Sequence, residues 1–142
     1  MQNRKLLLRL VVVRSRCYCG APWWLWVTEP DPDGTDVNAL HLWANSDTET
    51  VVAYARIFLG EGGDGYSRIG RVLTAQSVRR LGLGRELMQR ALDVCHTYTP
   101  TLPIRLGAQV YLRAFYESFG FVAISKEYLE DDIPHIDMER QP

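Results

Sequence analysis

The chain has little cysteine and almost no net charge, and each shortage removes a class of function. Its three cysteines, Cys17, Cys19 and Cys95, form no disulfide framework. Cys17-x-Cys19 lacks the spacing of a zinc knuckle and has no second pair, so no metal is expected. A formal net charge of -1 over 142 residues argues against nucleic acid as an obligatory partner, because phosphate contacts demand a basic excess. No stretch reaches the ~20 apolar residues of a membrane helix, so no membrane is expected either. Near the start, basic residues precede Leu6-Leu7-Leu8, but Arg9 interrupts the run and no small-residue cleavage site follows Arg14. A cytoplasmic location is the expectation. Repeats and low-complexity segments are absent, and the length suits one domain, 1–142, with a sizeable core.

What is present centres on Val78-Arg79-Arg80-Leu81-Gly82-Leu83-Gly84-Arg85. An apolar run, Ile69 to Val78, precedes it and reads as a strand. After it, Leu87, Met88, Ala91, Leu92 and Cys95 recur at helical spacing, which predicts a helix over 84–97. A helix start leaves backbone N–H groups unpaired and carries partial positive charge, so it can seat a phosphate. Gly82 and Gly84 let the backbone adopt positive φ and approach a ligand closely. Arg79, Arg80 and Arg85 add charge at the mouth. Neither a P-loop nor a dinucleotide fingerprint fits: no Lys-Ser or Lys-Thr follows, and Leu87 stands where a third glycine would be required.

Elsewhere the chain reads as follows. Residues 1–30 are ambiguous: Leu6, Leu7, Leu10 and Val11 fit one helical face, while Val11-Val12-Val13 equally fits a strand. Trp23, Trp24 and Trp26 could close a core, form a homodimer face or line a substrate site. Glu29 to Gly34 is a loop. Strands are expected over Ala39 to Ala44 and Val51 to Leu59, with a glycine-rich hairpin tip at Gly60 to Gly65. Ile104, Leu106 and Ala108 alternate as a strand with one buried face. Leu112, Phe115, Tyr116 and Phe119 follow helical spacing, and Gly120 should end that helix. Phe121 to Ile124 and Ile133 to Met138 close the order as strands around an acidic loop. The order β-β-β-α-β-α-β-β predicts an α/β fold with helices packed on a sheet. Charge is uneven along it: the arginines cluster at 79–90, while Glu127, Glu130, Asp131, Asp132, Asp137 and Glu139 lie together. Unless the acidic end is a merely solvated loop, it favours a cationic substrate and the basic end a polyanionic cofactor.

Arg79-x-x-Gly82-x-Gly84 resembles the (Q/R)-x-x-G-x-(G/A) signature of the GCN5-related N-acetyltransferases (GNAT), which hold the pyrophosphate of acetyl-coenzyme A. Ala114-Phe115-Tyr116-Glu117-Ser118-Phe119-Gly120-Phe121 resembles a second segment of the same superfamily. Val51 to Arg56, Ile69-Gly70-Arg71-Val72, Leu106-Gly107-Ala108-Gln109 and Asp132-Ile133-Pro134-His135-Ile136 are similar to its ElaA-like branch, over roughly residues 31–140. Residues 1–30 are atypical. Cys17 to Trp24 matches the branch poorly, which bears on the acceptor side more than on the cofactor side.

The resemblance implies a GNAT-like mixed, mostly antiparallel sheet, with acetyl-CoA as co-substrate and an amine of a small molecule or peptide as acceptor. It also implies that Val72, Leu73 and Thr74 pair through their main chain with the pantetheine arm, a backbone N–H near Leu73 facing the thioester oxygen. Arg79, Arg80, Leu81, Gly82, Leu83, Gly84 and Arg85 would hold the pyrophosphate. Tyr116 is the candidate general acid, since a phenol can protonate the coenzyme A sulfur; the bland alternative is a core tyrosine. The base is open. Residues 69–78 contain no carboxylate, and Asp33, Asp36, His41 and His135 are the candidates, directly or through water; His41, in an expected strand, is equally a hydrogen-bonded structural histidine. Arg56 and Arg71 would bind an acceptor carboxylate or simply cap a sheet face; with Asp33 and Asp36 they are the candidate substrate-binding residues. The rival function is a non-catalytic acyl-CoA-binding module with a degenerate acceptor site.

Overall fold

The computed structural model describes residues 11–14 (backbone only), 39–46, 51–60 and 63–142. Trp23, Trp24, Trp26, Asp33 and Asp36 therefore lie outside the described residues, as do Cys17 and Cys19. Among the described residues eight strands form one sheet: β1 (Val11–Arg14), β2 (Leu40–Asn45), β3 (Val51–Phe58), β4 (Ser67–Thr74), β5 (Ile104–Gln109), β6 (Val122–Ala123), β7 (Tyr128–Glu130) and β8 (Ile133–Arg140). Their order is β1-β2-β3-β4-β5-β8-β6, with β7 also paired to β8. Every pairing is antiparallel except β4–β5. The parallel step requires a crossover, and α1 (Leu83–Tyr98) supplies it. A short α2 (Arg113–Glu117) follows β5. This is the expected mixed, mostly antiparallel sheet with helices packed on it.

Period-two alternation sorts the sheet into two faces. Leu40, Leu42, Ala44, Ala53, Ala55, Ile57, Ile69, Ile104, Leu106, Ala108, Ile136 and Met138 share the face that packs on α1. The helix meets them with Leu87, Met88, Ala91, Leu92 and Cys95, the stripe that its spacing predicts, and also with Leu83, whose side chain turns into the core. His41, Trp43, Tyr54, Arg56 and Phe58 take the alternate positions and so occupy the second face.

One open reading is resolved and three local expectations change. Of the two readings at the start, the strand holds for 11–14, paired to β2. The strand expected to reach Val78 ends at Thr74, and residues 76–78 form a 3₁₀ turn that carries Val78 inward to the core. The helix expected from Leu112 shortens to α2 after a 3₁₀ turn at Val110–Leu112. Ser118 ends α2 early by donating its hydroxyl to the Phe115 carbonyl, which competes with the helical ladder. Gly120 then turns the chain at φ 88. Finally, the acidic loop is not a loop throughout. Tyr128–Glu130 pairs with Ile133–His135 around Asp131 and Asp132, both at positive φ, as a two-residue hairpin turn requires.

Candidate active site

The site begins where β4 leaves β5. The two strands pair only at Ser67 with Ile104 and Arg68 with Arg105. Beyond those positions β5 continues along β8, while β4 continues along β3 alone. A bulge widens the split: between the Tyr54–Leu73 and Arg56–Gly70 partners β4 carries an extra residue, and Arg71 sits there at φ 53. Such a bulge bends its strand and increases the twist. The β5-facing edge of β4 from Ile69 to Thr74 therefore has no strand partner among the described residues. A row of backbone donors and acceptors is left for an extended ligand. Val72, Leu73 and Thr74 lie on this row, with Leu73 62% exposed.

The glycine turn stands at the end of that row. Gly82 caps α1 at φ 78, ψ 5, and the first helical bond runs from the Glu86 N–H to the Gly82 carbonyl. The N–H groups of Leu83, Gly84 and Arg85 consequently have no acceptor within the helix. Beyond its two chain neighbours, nothing lies within 4 Å of where a Cβ on Gly82 would stand, so the turn itself is uncovered. Gly84 is the meeting point of three elements. A Cβ there would lie 3.8 Å from Thr74 Cγ2 on β4 and 3.9 Å from Phe115 Cζ on α2. Arg79 and Arg80 are exposed beside the turn. Arg85 behaves differently: its guanidinium donates to Ser118 Oγ at 2.9 Å and stacks over the Phe115 and Phe119 rings.

Tyr116 reaches this corner from α2. It is buried, with its ring edge-on to Phe115 and Phe121. Burial raises its pKa, with a smaller contribution from Tyr111, so the phenol keeps its proton at neutral pH. Its hydroxyl forms no hydrogen bond among the described residues and is not among the buried oxygens left without a partner.

The other candidates divide between the two sides of the split. His41, on β2, has Nδ1 2.7 Å from the Tyr54 hydroxyl and pairs across the strand with Arg56. Arg56 is buried on the second face and stacks on Phe58, as does Arg68. Arg71 occupies the bulge itself. His135 lies on β8 opposite Gln109 of β5. Its Nδ1 is 2.8 Å from the Ile133 carbonyl, which can only accept, so Nδ1 carries the proton. Nε2 faces a Glu130 carboxylate oxygen at 3.7 Å, and the ring stacks on Tyr128. Four strand steps separate β2 from β8, roughly 19 Å at the usual spacing, so His41 and His135 cannot serve one amine together.

Residues that the sequence reading passed over also gather here. The Tyr128 hydroxyl donates to Asp137 Oδ1 at 2.7 Å. It lies 3.3 Å from where a Cβ on Gly107 would stand. Burial, with the Asp137 hydrogen bond next, pushes the Tyr128 pKa up to about 12. No local pattern announces this pair, because hairpin pairing alone brings residue 128 beside residue 137. Among the described residues no group of three or more His, Cys, Asp or Glu side chains could hold a metal, and no helix is long and apolar enough to cross a membrane.

Residues 35–142 match the acetyltransferase (GNAT) domain family. ElaA of Escherichia coli K12 is 39% identical over 115 residues, covering 78% of this chain and 73% of that protein. Its crystal structure superposes with a TM-score of 0.73 at 37% identity, over 78% of this chain and 75% of that one. The crystal structure of an acyl-CoA N-acyltransferase from Pseudomonas aeruginosa gives a TM-score of 0.72 at 40% identity, covering 82% of each chain. A UPF0039 protein of Mycobacterium tuberculosis is 34% identical over 139 residues, 96% of this chain and 80% of that protein. A split β4–β5 edge, an open glycine turn and a family match across three quarters of the chain agree: the protein belongs to the GNAT acetyltransferase family and is an ElaA-like member of it.

Proposed function

We propose that residues 1–142 form a single cytoplasmic domain that transfers the acetyl group of acetyl-CoA to an amine of a small molecule or peptide. The observation that carries the reading is the corner at Gly84, where the free β4 edge, the open helix start and the helix bearing Tyr116 meet. The Pseudomonas relative, an acyl-CoA N-acyltransferase by name, supports the same class of co-substrate.

In this reading the N–H groups of Leu83, Gly84 and Arg85 hold the pyrophosphate, helped by the helix dipole and by Arg79 and Arg80. Val72, Leu73 and Thr74 pair with the pantetheine arm, and a β4 backbone N–H near Leu73 donates to the thioester oxygen as it gains charge. The neutral amine attacks the carbonyl carbon and the C–S bond breaks. The proton lost by nitrogen goes to a base, and the departing sulfur receives one from the Tyr116 hydroxyl. His135 suits the base better than His41. Its Nδ1 proton is already given to the Ile133 carbonyl, which leaves Nε2 as the acceptor, and Glu130 would pair with the imidazolium formed. Arg56 and Arg71, on the β3–β4 side, are the groups for an acceptor carboxylate; Asp33 and Asp36 remain candidate acceptor contacts.

The test is free-thiol release from acetyl-CoA against a panel of amines, with Tyr116→Phe alongside. Turnover should fall by ~10²–10⁴ in the variant. Its acetyl-CoA affinity and melting temperature should hold, because no hydrogen bond to that hydroxyl is lost. Acetyl-CoA binding without transfer to any amine would instead support the binding module. Full activity in Tyr116→Phe would remove the phenol from the mechanism.

A further inference from the structure

The helix that carries Tyr116 cannot hold itself in place. α2 spans Arg113–Glu117, five residues, far below the ~12–15 at which an isolated helix becomes even marginal in water. Its position is therefore set by what it touches. At its far side Arg140 Nε donates to the Phe119 carbonyl at 2.8 Å, and Phe121 is buried against the Tyr116 ring. Towards the glycine turn Phe115 approaches Gly84, and Phe115 and Phe119 pack on the core; the charged and hydrogen-bonding contacts there come from Arg85. Its guanidinium lies 5.1 Å from the Phe119 ring centroid and 5.9 Å from that of Phe115, and it donates to Ser118. Ser118 in turn donates to the Phe115 carbonyl, so one side chain engages Phe115, Ser118 and Phe119 around the helix end. Planarity lets a guanidinium stack and donate at once, which an ammonium cannot do equally well.

We propose that Arg85 is a positioning residue: its backbone N–H belongs to the pyrophosphate seat, while its side chain braces the Tyr116 helix instead of contacting phosphate. The inference rests on the acetyl-transfer reading above for its kinetic consequences, and it departs from the expectation that the Arg85 side chain is a phosphate ligand. One residue then joins the two halves of the site. The amide of Arg85 lies one residue beyond Gly84, and its guanidinium sets the place of the ring next to Tyr116. The Arg85–Ser118 bond is exposed to solvent and the same guanidinium lies over two rings, so the hydrogen bond and the ring contacts share the hold.

A truncated co-substrate separates the two roles. Acetyl-pantetheine has the thioester and the arm but no pyrophosphate. In Arg85→Ala, kcat should fall about tenfold with both acetyl-CoA and acetyl-pantetheine, while the KM for acetyl-CoA stays within about threefold. Arg85→Lys should recover part of the loss, and Ser118→Ala, which removes only the hydrogen bond, should lose about twofold. A variant that raises the acetyl-CoA KM tenfold, keeps kcat and leaves acetyl-pantetheine untouched would make Arg85 a phosphate ligand and overturn the proposal. So would three variants with unchanged kinetics. A readout free of turnover distinguishes failure of the brace from failure of the transfer reading. With ring-labelled tyrosine, the Tyr116 signal in the free protein should broaden or shift in Arg85→Ala and less in Arg85→Lys, at a melting temperature close to the parent. An unmoved Tyr116 signal would refute the brace whether or not an amine acceptor has been found.

Discussion

Gly82 offers a perturbation whose two consequences can be measured apart. It sits at φ 78, and an alanine there would carry a Cβ in the left-handed region at about 1–2 kcal/mol of strain. Nothing lies within 4 Å of that Cβ, so no clash adds to the strain. For a domain of this size the melting temperature should drop by roughly 3–6 °C. The same Cβ would stand in uncovered space at the residue that immediately precedes the amides of Leu83, Gly84 and Arg85. If a pyrophosphate is seated there, one charge-assisted hydrogen bond of about 1.5–3 kcal/mol is lost, a roughly 10- to 100-fold weaker affinity for acetyl-CoA. Gly82→Asn separates the two effects, because asparagine tolerates the left-handed region but still fills the space. It should recover most of the melting temperature and little of the affinity. Gly82→Glu, which adds a negative charge at the helix start, should bind worst. Melting curves and calorimetric titration with acetyl-CoA read both quantities. Parent affinity in folded Gly82→Ala and Gly82→Asn would refute this placement of the pyrophosphate.

Two further outcomes follow from the core. A Cβ on Gly60 would stand 2.5 Å from Leu102 Cδ1 and 2.7 Å from the Tyr66 carbonyl oxygen. Gly60→Ala should therefore lose about 1–3 kcal/mol in urea unfolding, and an unchanged midpoint would mean that the neighbouring backbone yields freely. Burial pushes the Cys95 thiol from 9.0 to about 12. The folded value lies above the unfolded one, so the stabilisation from the neutral thiol is complete below pH 9 and is lost as pH climbs towards 12. Urea midpoints measured across that window should fall less steeply in Cys95→Ala than in the parent; parallel slopes would exclude a buried thiol as the cause.

Much of this protein is written locally. The stripe Leu87, Met88, Ala91, Leu92 and Cys95 declares α1, because burial of one helical face needs that spacing and little else. Gly82 was legible for a similar reason: a positive φ at a helix start is a property of four or five neighbouring residues. The alternation of Ile104, Leu106 and Ala108 likewise marks a strand with one core face.

Other features depend on which strand lies beside which, and no short window contains that. Ile69 to Val78 has the composition of one long strand, yet pairing with β3 closes where the Ala75 N–H meets the Val52 carbonyl, and Val78 is drawn inward separately. Tyr128 meets Asp137 only because Asp131 and Asp132 reverse the chain between them. His41 and His135 are equal candidates as letters; the insertion of β3, β4 and β5 between their strands puts them on opposite sides of the split. Arg85 looks like one more charge in a basic turn, and its direction is decided by Phe115, Phe119 and Ser118, some thirty residues on. Periodicity and turn chemistry are settled by neighbours in the chain, whereas register, strand order and the aim of a long side chain are settled by distant contacts that exist only once the sheet has closed.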